Sequence, residues 1–294
     1  MLNLAYKLTV LICVYNEGDS ILKALRSLYH NKIYPQTDVV LVDDCSTDPH
    51  TLRILALLGS FTRFNIIRSG QNLGLSNSRN VGFMNAKTEY VLPLDADDTL
   101  PPGTLDIVYT TFTKNNDVDF VAGNYFFNNT AINESHIVDC SSIATNGFID
   151  KNKLLLNWSL LGTSPCKKSL WRKIGGYSLK YSYSIQDVDF WIRAMLHGAK
   201  GMYLNKPIYT WNRSSTGMNE NFDRLDMTKL LDDHRDFYLL NNTLPELNNK
   251  VFEGYYPYKQ KAVLLPFARK HFFTLTHKNK LRTIYFLMTS LFKK

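Results

Sequence analysis

The amino-acid sequence predicts an α/β fold, a mainly parallel sheet flanked by helices, followed by a basic helical C-terminal region. Two observations carry this reading. Over the first hundred residues, short apolar runs alternate with segments of helical periodicity, the pattern of βαβ units. Beyond Asn221 almost every segment has helical spacing, and from Gly254 to Lys294 there are nine Lys/Arg and no Asp or Glu. Hydrophobic residues at 45% and charged residues at 20% are enough to build an ordinary buried core.

The elements follow in order. Leu8 to Val14 is a near-continuous apolar run, as expected of a strand covered on both faces. Ile21, Leu22, Leu25, Leu28 and Tyr29 recur at helical spacing after a polar start at Asp19–Ser20. Val39 to Val42 predicts the second strand. A helix then starts with Asp48 as N-cap and Pro49 at its first position, with Gly59 just past its end. Phe64–Ile67 predicts a third strand, Ser76–Ala86 a short helix and Tyr90–Asp95 a fourth strand. Pro93 has no N–H for a ladder bond, so a bulge is expected there. Val118–Gly123 predicts a fifth strand. A polar, Asn-rich stretch (124–147) follows, then helices near 150–160, 167–174 and 187–197 and a strand at 200–210. The expected boundary lies near 220. Residues 1–220 form the α/β body, with halves at about 1–123 and 124–220, and 221–294 form the helical region.

The net charge of +8 is uneven: nine of the 34 Lys/Arg lie in 254–294, leaving 25 against 26 acidic side chains in 1–253. A neutral body argues against a nucleic-acid partner and raises the question of what the basic region touches. The apolar run at the N-terminus breaks at Asn16 and Glu17 with no small-residue cleavage site, so a buried strand explains it better than a signal peptide. No stretch has the ~18 uninterrupted apolar residues of a spanning helix, so a soluble or peripheral protein is expected. Cys13, Cys45, Cys140 and Cys166 are scattered, with no C-x-x-C pair, and fit reduced thiols in a cytoplasmic protein.

Ligands of open α/β sheets bind at the carboxyl ends of the strands. Three polar clusters lie at such ends here: Tyr15-Asn16-Glu17, Asp43-Asp44-Cys45-Ser46-Thr47-Asp48 and Asp95-Ala96-Asp97-Asp98. Any one alone is an ordinary solvated or capping segment; three at one sheet edge point to a site. Three carboxylates within four residues repel one another unless a cation neutralises them, and hard oxygen ligands favour Mg²⁺ or Mn²⁺. There is no G-x-x-x-x-G-K-S/T loop, no G-x-G-x-x-G after the first strand and no H-E-x-x-H spacing.

At this point the sequence resembles a known family. VLICVYNEGDSILKALRSL, VVLVDDCSTD and NLGLSNSRNVGFMNAKTEYVLPLDADD are similar in order and spacing to the donor-binding half of family 2 glycosyltransferases of the GT-A fold. IGGYSLKYSYSIQDVDFWIRAMLHGAK, Ile174 to Lys200, is similar to the segment that carries the family's catalytic aspartate. The resemblance covers about 8–210. It implies Cys13, Tyr15 and Glu17 around the base and ribose, with Asp44 accepting a hydrogen bond from a uracil ring. Arg79 would lie along the nucleotide or diphosphate, Asp95 near the ribose or donor sugar, Asp97 on the metal (Mn²⁺ or Mg²⁺), and Asp187 would be the general base. It further implies inverting transfer from a nucleotide-diphosphate sugar, with a UDP-sugar the expected donor, to a saccharide acceptor. A helix dipole at Asp187 is expected to keep that carboxylate ionised.

The chain also departs from the family. Gln186 stands where glutamate is usual. Trp211-Asn212-Arg213-Ser214-Ser215-Thr216-Gly217 lacks the histidine of a Tyr-Arg-x-His-x-x-Ser pattern, which puts a third protein metal ligand in doubt. Q-x-x-R-W is absent, which favours transfer of one sugar per encounter. Two other readings compete: a sugar nucleotidyltransferase, which should carry a Gly-rich loop where this chain has CVYNEGD, and a degenerate protein that binds nucleotide sugar without catalysis. In the last helix Leu281, Ile284, Tyr285, Met288, Leu291 and Phe292 share a stripe flanked by Lys278, Lys280, Arg282, Lys293 and Lys294. Such a stripe either packs on the catalytic body or lies on a membrane, and the absence of acid from Gly254 onward favours the second: the expectation is a peripheral contact with an anionic membrane surface, at its cytoplasmic face, and a lipid-linked acceptor.

Overall fold

The computed structural model describes residues 5–157, 160, 162–181, 185–213, 230, 233–240, 242–255 and 261–291. The chain divides into two compact units, Met1–Asn221 and Phe222–Lys294.

In the first unit, β1 (Leu8–Val14), β2 (Thr37–Asp43), β3 (Phe64–Arg68) and β4 (Tyr90–Asp95) alternate with α1 (Ser20–Leu28), α2 (Pro49–Gly59) and α3 (Leu75–Asn85). Then come α4 (Thr104–Lys114), β5 (Phe120–Asn129), β6 (Glu134–Val138), β7 (Ala144–Thr145), β8 (Phe148–Ile149) and α5 (Lys151–Asn157). β9 (Cys166–Lys167), α6 (Lys168–Lys173), α7 (Gln186–Leu196) and β10 (Gly201–Arg213) complete it. The sheet runs β3-β2-β1-β4-β9-β5-β10-β8-β7, with β6 paired to β5. The β3-β2-β1-β4 block and the β5-β10 pair are parallel; the two-residue β9 joins them antiparallel to both neighbours.

Alternation on β1 sorts the core into two layers. Val10, Ile12 and Val14 pack with buried residues of α1, α2 and α4 on one face. Leu11 faces the other way, with Phe83 of α3, Leu170 of α6 and Phe190, Trp191 and Met195 of α7. A sheet covered on both faces explains the unbroken apolar runs of β1 and β2. The α2 cap is the expected one, Asp48 accepting the Thr51 N–H at 2.7 Å.

Three expectations change. β1 and β4 pair without a register shift, so Pro93 marks no bulge. β4's other neighbour, β9, pairs only with Tyr90 and Val91, so on that flank no ladder N–H is required of Pro93. Tyr29 is exposed beyond the end of α1, edge-on to Tyr34 at 4.9 Å, and is not part of its buried stripe. The fifth strand does not end at Gly123: β5 runs on into the Asn-rich stretch to Asn129 and pairs antiparallel with β6, while Asn128 bonds Asn212 of β10 and Ser135 of β6.

The second unit contains α8 (Arg235–Leu240), α9 (Leu244–Tyr255), α10 (Lys261–His271) and α11 (His277–Leu291). Leu247, Val251 and Phe252 of α9, Leu264 and Phe267 of α10 and Phe286 of α11 are buried. Among the described residues no helix is long and apolar enough to cross a membrane.

Candidate active site

The carboxyl ends of β1, β2 and β4 lie side by side, and each leaves the sheet through a shaped loop. The first two loops pass through the left-handed region at non-glycine residues, Asn16 (φ 61°) and Cys45 (φ 64°). Asn16 accounts for much of that shape: its side-chain oxygen accepts the N–H groups of Thr47 and Asp48, both at 2.8 Å, and its own N–H donates to Ser46 Oγ at 3.0 Å. The β1 loop is thereby stitched to the β2 loop. Asp44 is buried and accepts the Leu73 N–H at 2.9 Å and the Gly74 N–H at 2.7 Å, one on each oxygen, which fixes the turn entering α3. Tyr15 stands exposed at the rim.

Past β4 the acidic residues separate into two kinds. Asp98 is buried and anchored, accepting Tyr209 Oη–H at 2.8 Å and the Asn212 N–H at 2.7 Å, both from β10. Burial, with Asp95 and Asp97 nearby, pushes its carboxyl up to about 9. Asp97 is raised to about 6 by burial and then by Asp95; its backbone carbonyl accepts Asn212 Nδ2 at 3.2 Å. Glu17, arriving from the β1 loop, is raised to about 7 by burial and then by Asp97 and Asp95. Glu17, Asp95 and Asp97 thus repel one another across one space. Among the described residues no three His, Cys, Asp or Glu side chains form a closed metal cage. What Glu17, Asp95 and Asp97 offer together is a set of hard carboxylate oxygens, a donor type that suits Mg²⁺ or Mn²⁺ rather than a softer metal.

The cationic side is built by α3. Arg79 is only 3% exposed, donates from Nη2 to Asp95 Oδ1 at 2.9 Å and lies 5.4 Å from the Tyr177 ring centre. Its Nη1 is buried with no hydrogen-bond partner among the described residues. The next residue, Asn80, clamps the 171–177 segment. Its Oδ1 accepts Trp171 Nε1–H at 2.9 Å and the Tyr177 N–H at 2.7 Å, and its Nδ2 donates to the Tyr177 carbonyl at 2.8 Å. Gly176 makes the clamp possible: its φ is +75°, and a Cβ there would sit 2.6 Å from Asn80 Oδ1. Tyr177 in turn stacks on Phe190 of α7 at 4.3 Å.

That stack positions α7, whose first turn carries Asp187. Asp187 Oδ1 accepts the Val188 N–H at 2.9 Å, and its other oxygen faces Gly162, where any Cβ would collide with it. Burial raises the Asp187 carboxyl above its ordinary range, with the Arg79 charge the largest opposing effect. The Val188 N–H of the helix's first turn acts in the direction expected of a helix N-terminus, favouring the ionised form, but burial is the larger effect. Cys13 lies close enough to Arg79, Asp95 and Asp44 to feel their charge, and burial pushes its thiol up to about 12, so it lines the site as a neutral group. Cys13, Glu17, Arg79, Asp95, Asp97 and Asp187 thus form one linked electrostatic neighbourhood. Asp44 borders it and Tyr15 stays on the rim. In the Trp211–Gly217 segment, Ser214 to Gly217 lie outside the described residues.

Residues 9–175 match the sequence model of glycosyl transferase family 2. The chain belongs to glycosyl transferase family 2. Among curated relatives, the cholesterol galactosyltransferase of Borreliella burgdorferi is 26% identical over 236 residues, 76% of this chain and 65% of that protein. An uncharacterized glycosyltransferase of Haemophilus influenzae is 24% identical over 282 residues, 93% of this chain and 91% of that one. The fold is that of S. aureus TarS 1–349 in complex with UDP-GlcNAc, with a TM-score of 0.63 at 19% identity, covering 95% of this chain and 79% of that one. Against a longer TarS chain the match spans 43% of its length. The mainly parallel sheet with its flanking helices is thus a GT-A glycosyltransferase fold.

Within this candidate site, sequence reasoning missed Asn80, Gly162, Tyr177 and Tyr209 and gave Asp98 no separate role. Asp98 was visible as the last acid of Asp95-Ala96-Asp97-Asp98, but its anchoring partner lies 111 residues away. Asn80 adjoins Arg79, and its clamp onto Trp171 and Tyr177 needs the folded contact. Asn80→Ala would leave the part-buried Trp171 and Tyr177 N–H groups unpaired. The expected loss is about 2–3 kcal/mol of stability by denaturant titration. A lowered kcat should accompany it, because Tyr177 packs against both Arg79 and the helix of Asp187.

Proposed function

We propose that the protein moves one sugar from a UDP-sugar to a hydroxyl of a saccharide acceptor, inverting the anomeric centre. The observation that carries this is Arg79 beside Asp187. One is a buried guanidinium whose Nη1 has no partner among the described residues, and the other is a carboxylate of raised proton affinity, close enough to feel its charge. TarS structures hold UDP and UDP-GlcNAc, and that likeness supports a UDP-sugar donor. Cys13, Tyr15, Glu17 and Asp44 would border the nucleotide, with Arg79 donating to the diphosphate and Asp95 orienting both Arg79 and the donor sugar. Asp187 would take the proton of the acceptor hydroxyl as its oxygen attacks the anomeric carbon. Attack opposite the leaving diphosphate turns an α-linked donor into a β-linked product. Asp97, with Glu17 and Asp95 nearby, would hold Mn²⁺ or Mg²⁺, which when bound supplies positive charge against the departing diphosphate.

The acceptor side is drawn from relatives. A cholesterol galactosyltransferase and a poly-β-1,6-N-acetyl-D-glucosamine synthase of Staphylococcus epidermidis support a lipid-linked or cell-surface saccharide acceptor. Four free thiols fit a cytoplasmic enzyme acting at the inner face of a membrane. Thermal unfolding with a panel of nucleotide sugars and Mn²⁺ tests the donor. At a hundredfold excess over Kd, a UDP-sugar should raise Tm by about 5–10 °C, well above GDP- or ADP-sugars. A panel in which no nucleotide sugar moves Tm would contradict the reading.

A further inference from the structure

α11 docks through its less apolar side. Among its described side chains the buried ones are Asn279, Thr283 and Phe286. Asn279 Nδ2 donates to Asn249 Oδ1 at 2.9 Å and lies 3.4 Å from Glu253 Oε1, both on α9, while Thr283 Oγ1 donates to the Asn279 carbonyl at 2.8 Å. Asn249 also accepts the Thr276 N–H at 2.7 Å, just ahead of the helix. The contacts of Asn279 and Thr276 with α9 fix the rotation of α11, the Thr283 bond being internal to the helix, and leave the greasier side outside. Leu281 is 53% exposed, Ile284 41%, Tyr285 64% and Met288 57%, a stripe at i, i+3, i+4 and i+7. Phe273, in the turn before the helix, is 91% exposed. A helix that seated its apolar stripe on its own core would show the opposite arrangement.

We propose that this outward face is a docking surface for an anionic lipid bilayer. The charge pattern names the occupant. Lys278 is exposed and lies seven residues before Tyr285, and Lys280, half-buried with its ammonium 5.8 Å from the Phe272 ring centre, lies four before Ile284, so both continue the stripe toward the start of the helix. Throughout 254–294 there is no Asp or Glu to oppose them. Arg282 is committed elsewhere, with Asn279 Oδ1 at 3.3 Å and Glu253 Oε1 at 4.0 Å. A protein partner would be expected to meet mixed signs on such a face, whereas a helix whose own charged side chains are all basic complements acidic headgroups, each cation adding about fivefold in affinity. The helix would lie in the interface plane with Tyr285, Met288 and Phe273 among the acyl chains. This surface is independent of the transfer chemistry, and its failure would leave the family assignment and donor site untouched.

The test is co-sedimentation of the full chain with phosphatidylcholine vesicles, with and without phosphatidylglycerol, at low and high salt. The Leu281→Ser/Tyr285→Ser/Met288→Ser and Lys278→Gln/Lys280→Gln variants are run beside it. The triple variant changes exposed side chains only, and an unaltered melting curve and UDP affinity would certify its fold. The wild type is expected to bind only the anionic vesicles and to release at high salt. The triple variant should lose on the order of tenfold or more in affinity, and the lysine variant should bind more weakly with a shallower salt dependence. Absence of wild-type binding, equal binding by folded triple variant and wild type, or equal binding to neutral vesicles would overturn the proposal. So would a wild-type dimer in light scattering that the triple variant converts to monomer, since the face would then belong to a second copy.

Discussion

Asp187→Asn is expected to lower kcat by about 10²–10⁴-fold while leaving donor affinity nearly unchanged. Asparagine keeps the shape that Gly162 accommodates and can still take the Val188 N–H, but it cannot accept a proton from the acceptor. Single-turnover rates and donor titrations separate the two effects. A collapse of donor affinity with kcat preserved would make Asp187 a binding residue. The pH profile gives a second reading. Because burial raises the carboxyl, the base is lost as pH falls through a value above the ordinary aspartate range, so the acidic limb of kcat should lie there. That limb should vanish in Asp187→Asn. Gln186→Glu, which restores the commoner neighbour, should retain activity.

Asp97→Ala is expected to abolish transfer while the protein remains folded. Its side chain projects into a space shared with Asp95 and Glu17, and its structural bond, the carbonyl to Asn212, belongs to the backbone and survives. The sign of the stability change follows from linkage. A folded pKa near 6 exceeds the unfolded 3.8, so the ionised group is disfavoured in the native state as pH rises through that window. Without metal, the variant should therefore melt no lower than wild type above about pH 6. In wild type, excess EDTA should stop transfer and Mn²⁺ or Mg²⁺ restore it; full activity in EDTA would remove the metal role. Asp98→Ala makes the contrast. It strips a buried anchor from Tyr209 and Asn212 and should lower the melting temperature outright.

The donor side was legible because it is local. Strands β1 to β4 are covered on both faces and appear as apolar runs, and the acids after them fall where the open sheet edge needs polar groups. The later part was less legible for a physical reason. β5 and β6 carry asparagines and serines that bond across strands, such as Asn128 to Asn212 and Ser135, so their composition imitates a loop. The joint between the two parallel blocks is β9, two residues long and too short for any periodicity. Asp187 was found through resemblance; what holds it, Gly162 at its back and the Asn80–Tyr177–Phe190 chain beside it, spans sequence separations that no local pattern encodes.

The account rests most heavily on direct displacement at the anomeric carbon with Asp187 as base. The measurement closest to that claim is the configuration of the product. The protein would be incubated with Mn²⁺, an α-linked UDP-sugar and a panel of alkyl glycoside acceptors, and the new glycosidic bond read from the H1–H2 coupling by proton NMR. The account predicts a β-linked product formed with one UDP released per bond and lost in Asp187→Asn. An α-linked product, or transfer at the wild-type rate by Asp187→Asn, would contradict it.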